Sequence, residues 1–256
     1  MIDSGDLVWG EGDRSFTLNG WRFVTVHGGG GQGDWVPGEN CFLFYKTRAL
    51  VDQYVSFFRS PAEPIRCDNL LELGLFDGGS VPFWFEALGP KKHVGIDIRE
   101  RSDTRYFEKY TSQEGRRGRI ETHWGTSQDD AARLGAIVDT AFGGDLLDLV
   151  IDDASHLYEQ SRASFEILFS RVRPGGYYIL EDWAWSHWRG LEQSFAGHKP
   201  LTQLVFEVIE ALGSTSHRLI VDMHICSGFV AIRRGWTSAG ELGAFDLDRF
   251  IYRHPR

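Results

Sequence analysis

The chain has 256 residues, of which 42% are hydrophobic and 14% aromatic, enough for one large globular core with or without an appendage. Its formal net charge of −9 argues against a nucleic-acid or anionic-membrane partner, because binding to phosphate needs clustered Lys and Arg. The sequence has no apolar run long enough to span a membrane, and its acidic N-terminus lacks the features of a secretory signal. Three cysteines at unrelated spacings indicate neither a disulfide framework nor a cysteine zinc site, so we expect a cytoplasmic protein.

Residues 1–60 are rich in Gly and Trp and are expected to form an N-terminal lid and helical extension, followed by a second domain over 61–256. Four consecutive glycines in "HGGGGQGDWVPGE" (27–39) do not sustain a helix or a strand. A flexible linker and an ordered lid over a ligand site both stay open. Apolar residues at helical spacing over 44–58 predict an amphipathic helix, which "SPAEP" (60–64) ends.

Short apolar runs then alternate with helical patterns. Strands are predicted at 69–73, 93–98, 119–124, 146–151 and 176–181. Helices are predicted at 80–88, 103–110, 127–141 and 157–171. This alternation, with strands that are almost continuously apolar, predicts a parallel sheet covered by helices on both faces. The "RPGG" at 173–176 predicts a turn before the fifth strand.

The last third of the chain departs from this alternation. A helix is predicted at 200–212, followed by two strands at 217–223 and 227–234 that are joined by a very short turn. Such a tight connection requires an antiparallel pair. The predicted fold is therefore α/β, with a doubly wound, mostly parallel seven-stranded sheet whose last strand is antiparallel.

A glycine-rich loop follows the first strand of this sheet, in "LLELGLFDGGS" (70–80). Its candidate ligand-binding positions are Glu72, Gly74, Gly78 and Ser80. Glycines at a strand-to-helix turn let the backbone approach a bound nucleotide closely, although a tight turn without a ligand gives the same pattern. Asp97 ends the second strand, where a carboxylate can take both ribose hydroxyls. The polar segment 125–130 follows the third strand, where side chains can reach an adenine edge.

The spacing in this loop differs from the G-x-G-x-x-G of dinucleotide-binding proteins, and an acid beside the loop would repel a pyrophosphate. The pattern resembles motif I of the Rossmann-type S-adenosylmethionine-dependent methyltransferases, over about residues 65–235. The resemblance implies S-adenosylmethionine rather than NAD as the cofactor, with Glu72 and Gly74 near its methionine part and Asp97 on its ribose. The residues that would face the adenine are Ser127, Gln128 and Asp129.

Two acidic pairs end neighbouring strands of the predicted sheet. Asp152 and Asp153 follow the fourth strand, and Glu181 and Asp182 follow the fifth. One helix between the two strands makes them neighbours, so the carboxylates converge at one edge, where they repel each other unless a cation or protons compensate. Oxygen ligands indicate Mg²⁺, with Mn²⁺ or Ca²⁺ as substitutes. The alternative is a solvated pair, with Asp153 as the N-cap of the next helix.

"IDDASHLYEQ" together with "PGGYYILEDWAW" resembles the metal-dependent sugar O-methyltransferases of macrolide and other antibiotic pathways (the mycinamicin type) and the related cephalosporin hydroxylase-like proteins. The metal ligands implied by this resemblance are Asp153, Glu181 and Asp182. It also implies that His156 is the general base, although a plain hydrogen bond to Glu181 or to the backbone is the other interpretation. Asp152 either orients the methionine end of the cofactor or supports the metal ligands.

Three tryptophans follow the second acidic pair: Trp183, Trp185 and Trp188. No single strand face accounts for all three, so we predict a loop that binds the acceptor, with an oligomer contact or packing as the alternatives.

The resemblance implies an Mg²⁺-dependent O-methyltransferase acting on a hydroxyl of a sugar or polyhydroxylated natural product. A hydroxylase-type relative with different chemistry is one alternative. A non-catalytic S-adenosylmethionine-binding scaffold is another, but a scaffold needs neither the acidic set nor His156. Members of this family are often oligomeric, which keeps a homo-oligomer open.

Overall fold

The computed structural model describes residues 7–25, 35–59, 65–101, 104–216 and 218–253, with no side-chain description for 239 and 240. Most of the predicted glycine lid and the whole of the predicted helix stop at 60–64 lie outside the described residues. Among the helices within these ranges, none is long and apolar enough to cross a membrane. The chain divides into two compact units, Met1–Asp68 with Leu75–Gly125, and Asn69–Gly74 with Thr126–Arg256.

The main sheet has seven strands in the order β10-β11-β9-β8-β5-β6-β7, which confirms the predicted fold class. Its strands are β5 (Asn69–Leu73), β6 (Lys92–Ile96), β7 (Ile120–His123), β8 (Leu147–Asp152), β9 (Val172–Glu181), β10 (Ile220–Ile225) and β11 (Phe229–Arg234). The last strand, β11, is antiparallel to both of its neighbours, as predicted. It lies inside the sheet, however, because β10 pairs with its outer side and becomes the edge strand.

The helices are α1 (Arg48–Arg59), α2 (Ser80–Leu88), α3 (Arg105–Thr111), α4 (Ala131–Phe142), α5 (Tyr158–Leu168), α6 (Thr202–Thr215) and α7 (Ala239–Leu242). The predicted helices agree with α1 to α6 except at their ends. α4 begins four residues later than predicted because the side chain of Asp130 caps it, accepting a hydrogen bond from the backbone N–H of Arg133 at 3.0 Å.

The first unit contains a second sheet that the sequence did not lead us to expect. Its four strands are β1 (Leu7–Trp9), β2 (Ser15–Leu18), β3 (Trp21–Thr25) and β4 (Phe42–Phe44), in that order. In β2 the side chains alternate between half-buried and buried, as in a strand with one face on a core. Phe16 stacks on Phe23 with ring centroids 4.8 Å apart, and Phe44 lies 4.7 Å from Phe83 of α2. Aromatic packing therefore joins this small sheet to α2.

In the second unit, β8 is buried along its whole length because it lies between β5 and β9 and is covered on both faces. The predicted turn at 173–176 is wrong, since β9 already begins at Val172. The register of β8 against β9 shifts between Leu147 and Leu149, and Gly175 has a φ of +76°. The glycines therefore form an irregular start of the strand rather than a turn before it.

The aromatic core of the first unit provides a test of its packing. Phe23 is fully buried, so Phe23→Ala should lower the free energy of unfolding by about 3–5 kcal/mol, through lost transfer energy and the cavity left behind. Phe206→Ala makes the same change at a side chain that is 66% exposed. This control should alter the free energy of unfolding by no more than about 0.5 kcal/mol. Urea unfolding measures both variants, and equal losses would contradict this packing.

Candidate active site

Three parallel strands of the second unit bring the predicted acidic residues to one edge of the sheet. In the register, Asp152 lies beside Leu73 of β5 and beside Leu180 of β9. The segments that follow these three residues therefore leave the sheet together, at the carboxyl ends of their strands. Ligands of open α/β sheets bind at this edge.

Asp153, His156 and Asp182 form a group that could hold a metal ion. Each offers one ligand atom, and these three atoms lie within 4.8 Å of one another. Nε2 of His156 is 3.9 Å from Oδ1 of Asp153. Glu181, predicted as a ligand, is 1% exposed at the end of β9 and is outside this group. The geometry thus brings together two of the three predicted ligands and adds the predicted base.

Two members of this group have a strained backbone. His156 has a φ of +56° and Asp182 a φ of +52°, in the left-handed region that costs a residue other than glycine about 1–2 kcal/mol. Hydrogen bonds hold Asp182 in this conformation, because its N–H donates to the carbonyl of Gly228 and its carbonyl accepts from the N–H of Trp185, both at 3.0 Å. Such strain persists where the surroundings determine the conformation, and it is concentrated at functional sites.

The helix-cap alternative for Asp153 is wrong. α5 begins at Tyr158, and its N-cap residue is Leu157, which makes no side-chain capping bond. The N–H of Asp153 donates to the carbonyl of Leu73 at 2.9 Å, which ties the start of the loop to β5.

Asp152 is a buried carboxylate that is surrounded by protein donors. Its Oδ2 accepts hydrogen bonds from the hydroxyls of Tyr178 at 2.6 Å and Ser164 at 2.7 Å. Burial raises the pKa of Asp152 to about 6, and the bonds from Tyr178 and Ser164 act in the opposite direction. The sequence predicted neither partner. The available signal was a hydroxyl within an otherwise apolar strand at Tyr178, and a serine inside α5 at Ser164.

The three residues predicted to face an adenine have different surroundings. Ser127 donates a hydrogen bond from its hydroxyl to Asp129, whose side chain is exposed. Gln128 instead points into the interior, and its Nε2 lies 3.2 Å and 3.3 Å from the two carboxylate oxygens of Asp152. Its Oε1 accepts from the N–H of Ser155 at 2.9 Å.

Gly74 is required by a close approach of two backbone segments. Its φ is +89°, and a Cβ at this position would lie 2.0 Å from the carbonyl oxygen of Asp153. Glu72, two residues earlier, is fully buried in β5 beside Ile151. The first predicted glycine therefore makes room for the loop that carries Asp153.

In the first unit, Asp97 holds the rest of the glycine loop. Its Oδ2 accepts from the N–H groups of Leu75 at 2.7 Å and Phe76 at 2.8 Å, and its Oδ1 accepts from that of Arg99 at 2.7 Å. Gly78, with a φ of +78°, donates to the carbonyl of Leu75 at 2.7 Å. The acid predicted to bind ribose thus also shapes the loop beside it.

The three predicted acceptor-binding tryptophans lie in unlike environments. Trp183 is anchored, because its Nε1 donates to the carbonyl of Cys226 at 2.9 Å. Trp185 packs on the imidazole of His156, with ring centroids 4.6 Å apart and planes tilted by 52°. Trp188 is 54% exposed and lies 6.0 Å from Trp185. Trp185 is thus a neighbour of the group formed by Asp153, His156 and Asp182, and Trp188 presents an apolar surface to solvent.

Residues 71–183 match the family of methyltransferase domains. This central part of the chain is similar to methyltransferase domains. It includes the glycine loop, Asp97, Asp153 and both residues of the second acidic pair. The predicted resemblance to S-adenosylmethionine-dependent O-methyltransferases of the mycinamicin type is confirmed.

Named relatives carry the same resemblance. The chain is 28% identical over 208 residues to demethylmacrocin O-methyltransferase of Streptomyces fradiae, and the match covers 72% of this chain and 49% of that protein. It is 34% identical over 129 residues to mycinamicin VI 2''-O-methyltransferase of Micromonospora griseorubida, which covers 48% of this chain and 29% of that protein. The chain thus spans half or less of the length of these relatives.

A solved structure has a fold similar to that of this chain. It is the MycE methyltransferase of the mycinamycin biosynthetic pathway in complex with Mg, S-adenosylhomocysteine and mycinamycin VI. The sequence identity is 26% and the TM-score 0.53, over 73% of this chain and 49% of that chain.

The close approach at Gly74 generates a prediction. Gly74→Ala forces the loop of Asp153 to move and should lower the free energy of unfolding by at least about 2 kcal/mol more than Gly144→Ala does. Gly144 is a matched control, because its φ is also +89° and a Cβ there would meet nothing within 4 Å among the described residues. Equal losses in urea unfolding would mean that only the left-handed backbone requires glycine at position 74.

Proposed function

We propose that this protein is an Mg²⁺-dependent O-methyltransferase that moves a methyl group from S-adenosylmethionine to a hydroxyl of a sugar or another polyhydroxylated natural product. The observation that carries the proposal is the convergence of Asp153, His156 and Asp182 at the carboxyl edge of the sheet of a methyltransferase domain. The two named relatives are O-methyltransferases of demethylmacrocin and of mycinamicin VI, which supports a small-molecule natural product as the acceptor.

The donor set fits a hard divalent cation. Asp153 and Asp182 supply carboxylate oxygens, the ligands that Mg²⁺ prefers, and the nitrogen of His156 is also accepted by Mn²⁺. Glu181 precedes Asp182 and remains the predicted third carboxylate ligand. When bound, the cation supplies positive charge that favours the deprotonated form of a nearby hydroxyl.

The glycine loop and its neighbours fit the predicted cofactor. Ser80, at the start of α2, has a buried hydroxyl with no hydrogen-bond partner within the described residues, which leaves a polar atom for a ligand. Glu72 and Gly74 are the residues proposed near the methionine part, Asp97 for the ribose, and Ser127 and Asp129 for the adenine. The bound cofactor supplies an electrophilic methyl group on a sulfonium.

His156 is the proposed general base, which removes the proton of the acceptor hydroxyl. A neutral imidazole accepts protons near neutral pH, and Nε2 of His156 lies 3.9 Å from Oδ1 of Asp153. The indole of Trp185 restricts the ring on one face. The geometry also favours a second role, because one ring nitrogen of His156 belongs to the group of converging ligand atoms.

Trp188 is the proposed contact for the acceptor, since its exposed indole offers a flat apolar face to a sugar ring. We also propose that residues 1–60 form an extension of the methyltransferase domain over 61–256. The four-stranded sheet and α1 lie within this segment.

Metal removal tests the proposed activity. After treatment with EDTA, methyl transfer to demethylmacrocin or mycinamicin VI should fall to background, and added Mg²⁺ should restore it, because the cation favours the deprotonated form of the acceptor hydroxyl. Mass spectrometry of the acceptor measures the transfer. Unchanged transfer in EDTA would contradict the metal requirement. A failure of the wild-type protein to bind S-adenosylhomocysteine in calorimetry would contradict the cofactor.

Substitution of the histidine separates its two candidate roles. His156→Ala should lower turnover roughly 10²–10⁴-fold while the affinity for S-adenosylhomocysteine is retained, because a positioned base is lost. If His156 acts as the base alone, Mn²⁺ affinity measured by electron paramagnetic resonance stays at the wild-type value. A large loss of Mn²⁺ affinity would assign the imidazole to the metal. His198→Ala, at a half-exposed histidine near Glu159, is the control and should leave turnover unchanged.

A further inference from the structure

We infer that Gln128 and Asp152 are positioning residues that hold the loop bearing Asp153 and His156, rather than contacts to the cofactor. The inference rests on the proposed function, since it assigns the loop a role in metal binding and proton transfer. It replaces the predicted contact of Gln128 with adenine. Of the two roles left open for Asp152, it selects support of the metal ligands.

Asp152 is closed off from any ligand in the described structure. Asp152 is 1% exposed. Its carboxylate accepts hydrogen bonds from Gln128, Ser164 and Tyr178. A carboxylate that already receives this many protein donors has no need of a cofactor hydroxyl. Hydrogen bonds from these three residues instead compensate for its burial, as buried polar groups require.

Gln128 connects this carboxylate to the loop. Its amide nitrogen donates to Asp152 and, at 3.0 Å, to the hydroxyl of Ser164, while its amide oxygen accepts from the N–H of Ser155 at 2.9 Å. Only a side chain with a donor and an acceptor at one end makes both bonds. Turning it outward toward a ligand would leave both Asp152 and the N–H of Ser155 without these bonds in the interior.

Three consecutive backbone N–H groups of the loop donate hydrogen bonds to other residues of the second unit. That of Asp153 donates to the carbonyl of Leu73, that of Ala154 to the carboxylate of Asp152, and that of Ser155 to Gln128. The next residue is His156, with its left-handed φ of +56°. Hydrogen bonds to the three preceding residues fix the position of the His156 backbone. A strained conformation needs such surroundings to persist.

The test compares Gln128→Met, which keeps the length of the side chain but removes both hydrogen bonds, with Ser127→Ala as the adjacent control. In the metal-free full-length protein, amide hydrogen exchange at Ser155 should be about tenfold faster in Gln128→Met and unchanged in Ser127→Ala. By electron paramagnetic resonance, the affinity of Gln128→Met for Mn²⁺ should also fall about tenfold, because its ligands are no longer preorganised. Its affinity for S-adenosylhomocysteine, measured by calorimetry, should stay within about twofold of wild type.

The opposite pattern would overturn the inference. If affinity for S-adenosylhomocysteine falls while Ser155 exchange and Mn²⁺ affinity do not change, Gln128 contacts the cofactor. If none of the three changes, the network only fills the interior. Should Gln128→Met fail to fold, Tyr178→Phe removes one donor to Asp152, and it should weaken Mn²⁺ binding without affecting S-adenosylhomocysteine. An unchanged Mn²⁺ affinity in that variant would overturn the inference.

This experiment separates the inference from the proposed function. Exchange at Ser155 is measured without metal, cofactor or turnover, so it reports on the network alone. Failure of the wild-type protein to bind Mn²⁺ or S-adenosylhomocysteine would remove the proposed function and leave the exchange result standing.

Discussion

The parallel pairing of β8 with β5 on one side and with β9 on the other is the constraint on which the candidate site depends. This register sets Asp152 level with Leu73 and Leu180, so the three strands end together. Because β8 is buried on both faces, a slip of one residue would exchange the side chains that pack on its two faces. The same packing energy that stabilises the core therefore also fixes where Asp153 and Asp182 leave the sheet.

The two adjacent aspartates at the end of β8 have different surroundings. Asp152 is the last residue of β8 and its carboxylate turns inward, to Tyr178 and Ser164. Asp153 leaves the strand and its carboxylate approaches His156 and Asp182. One carboxylate thus lies in the interior at this edge, while its neighbour belongs to the group of converging ligand atoms.

The sequence predicted a structural element correctly when residues close in the chain determine that element. Strand–helix alternation predicted five strands of the main sheet and a tight hairpin predicted the other two, because apolar runs in the sequence report burial directly. The turn at 173–176 was wrong, since its glycines serve a register shift against β8 that only the paired strand reveals. The strands of the first unit were not predicted at all, being short and placed near the glycine-rich segment. The convergence of the acidic pairs followed from topology and needed no side-chain detail.

The sequence by itself determined the fold class, the family resemblance and the edge of the sheet at which the chemistry is expected. These follow from periodicity and from motifs whose residues are close in the chain. Only the tertiary structure decided that Gln128 turns inward to Asp152 and Ser155, and that Glu181 lies outside the converging group. The direction of a side chain depends on donors and acceptors from distant elements, such as Ser164 and Tyr178. Residue type limits which bonds can form, but the packing of the strands determines which of them do.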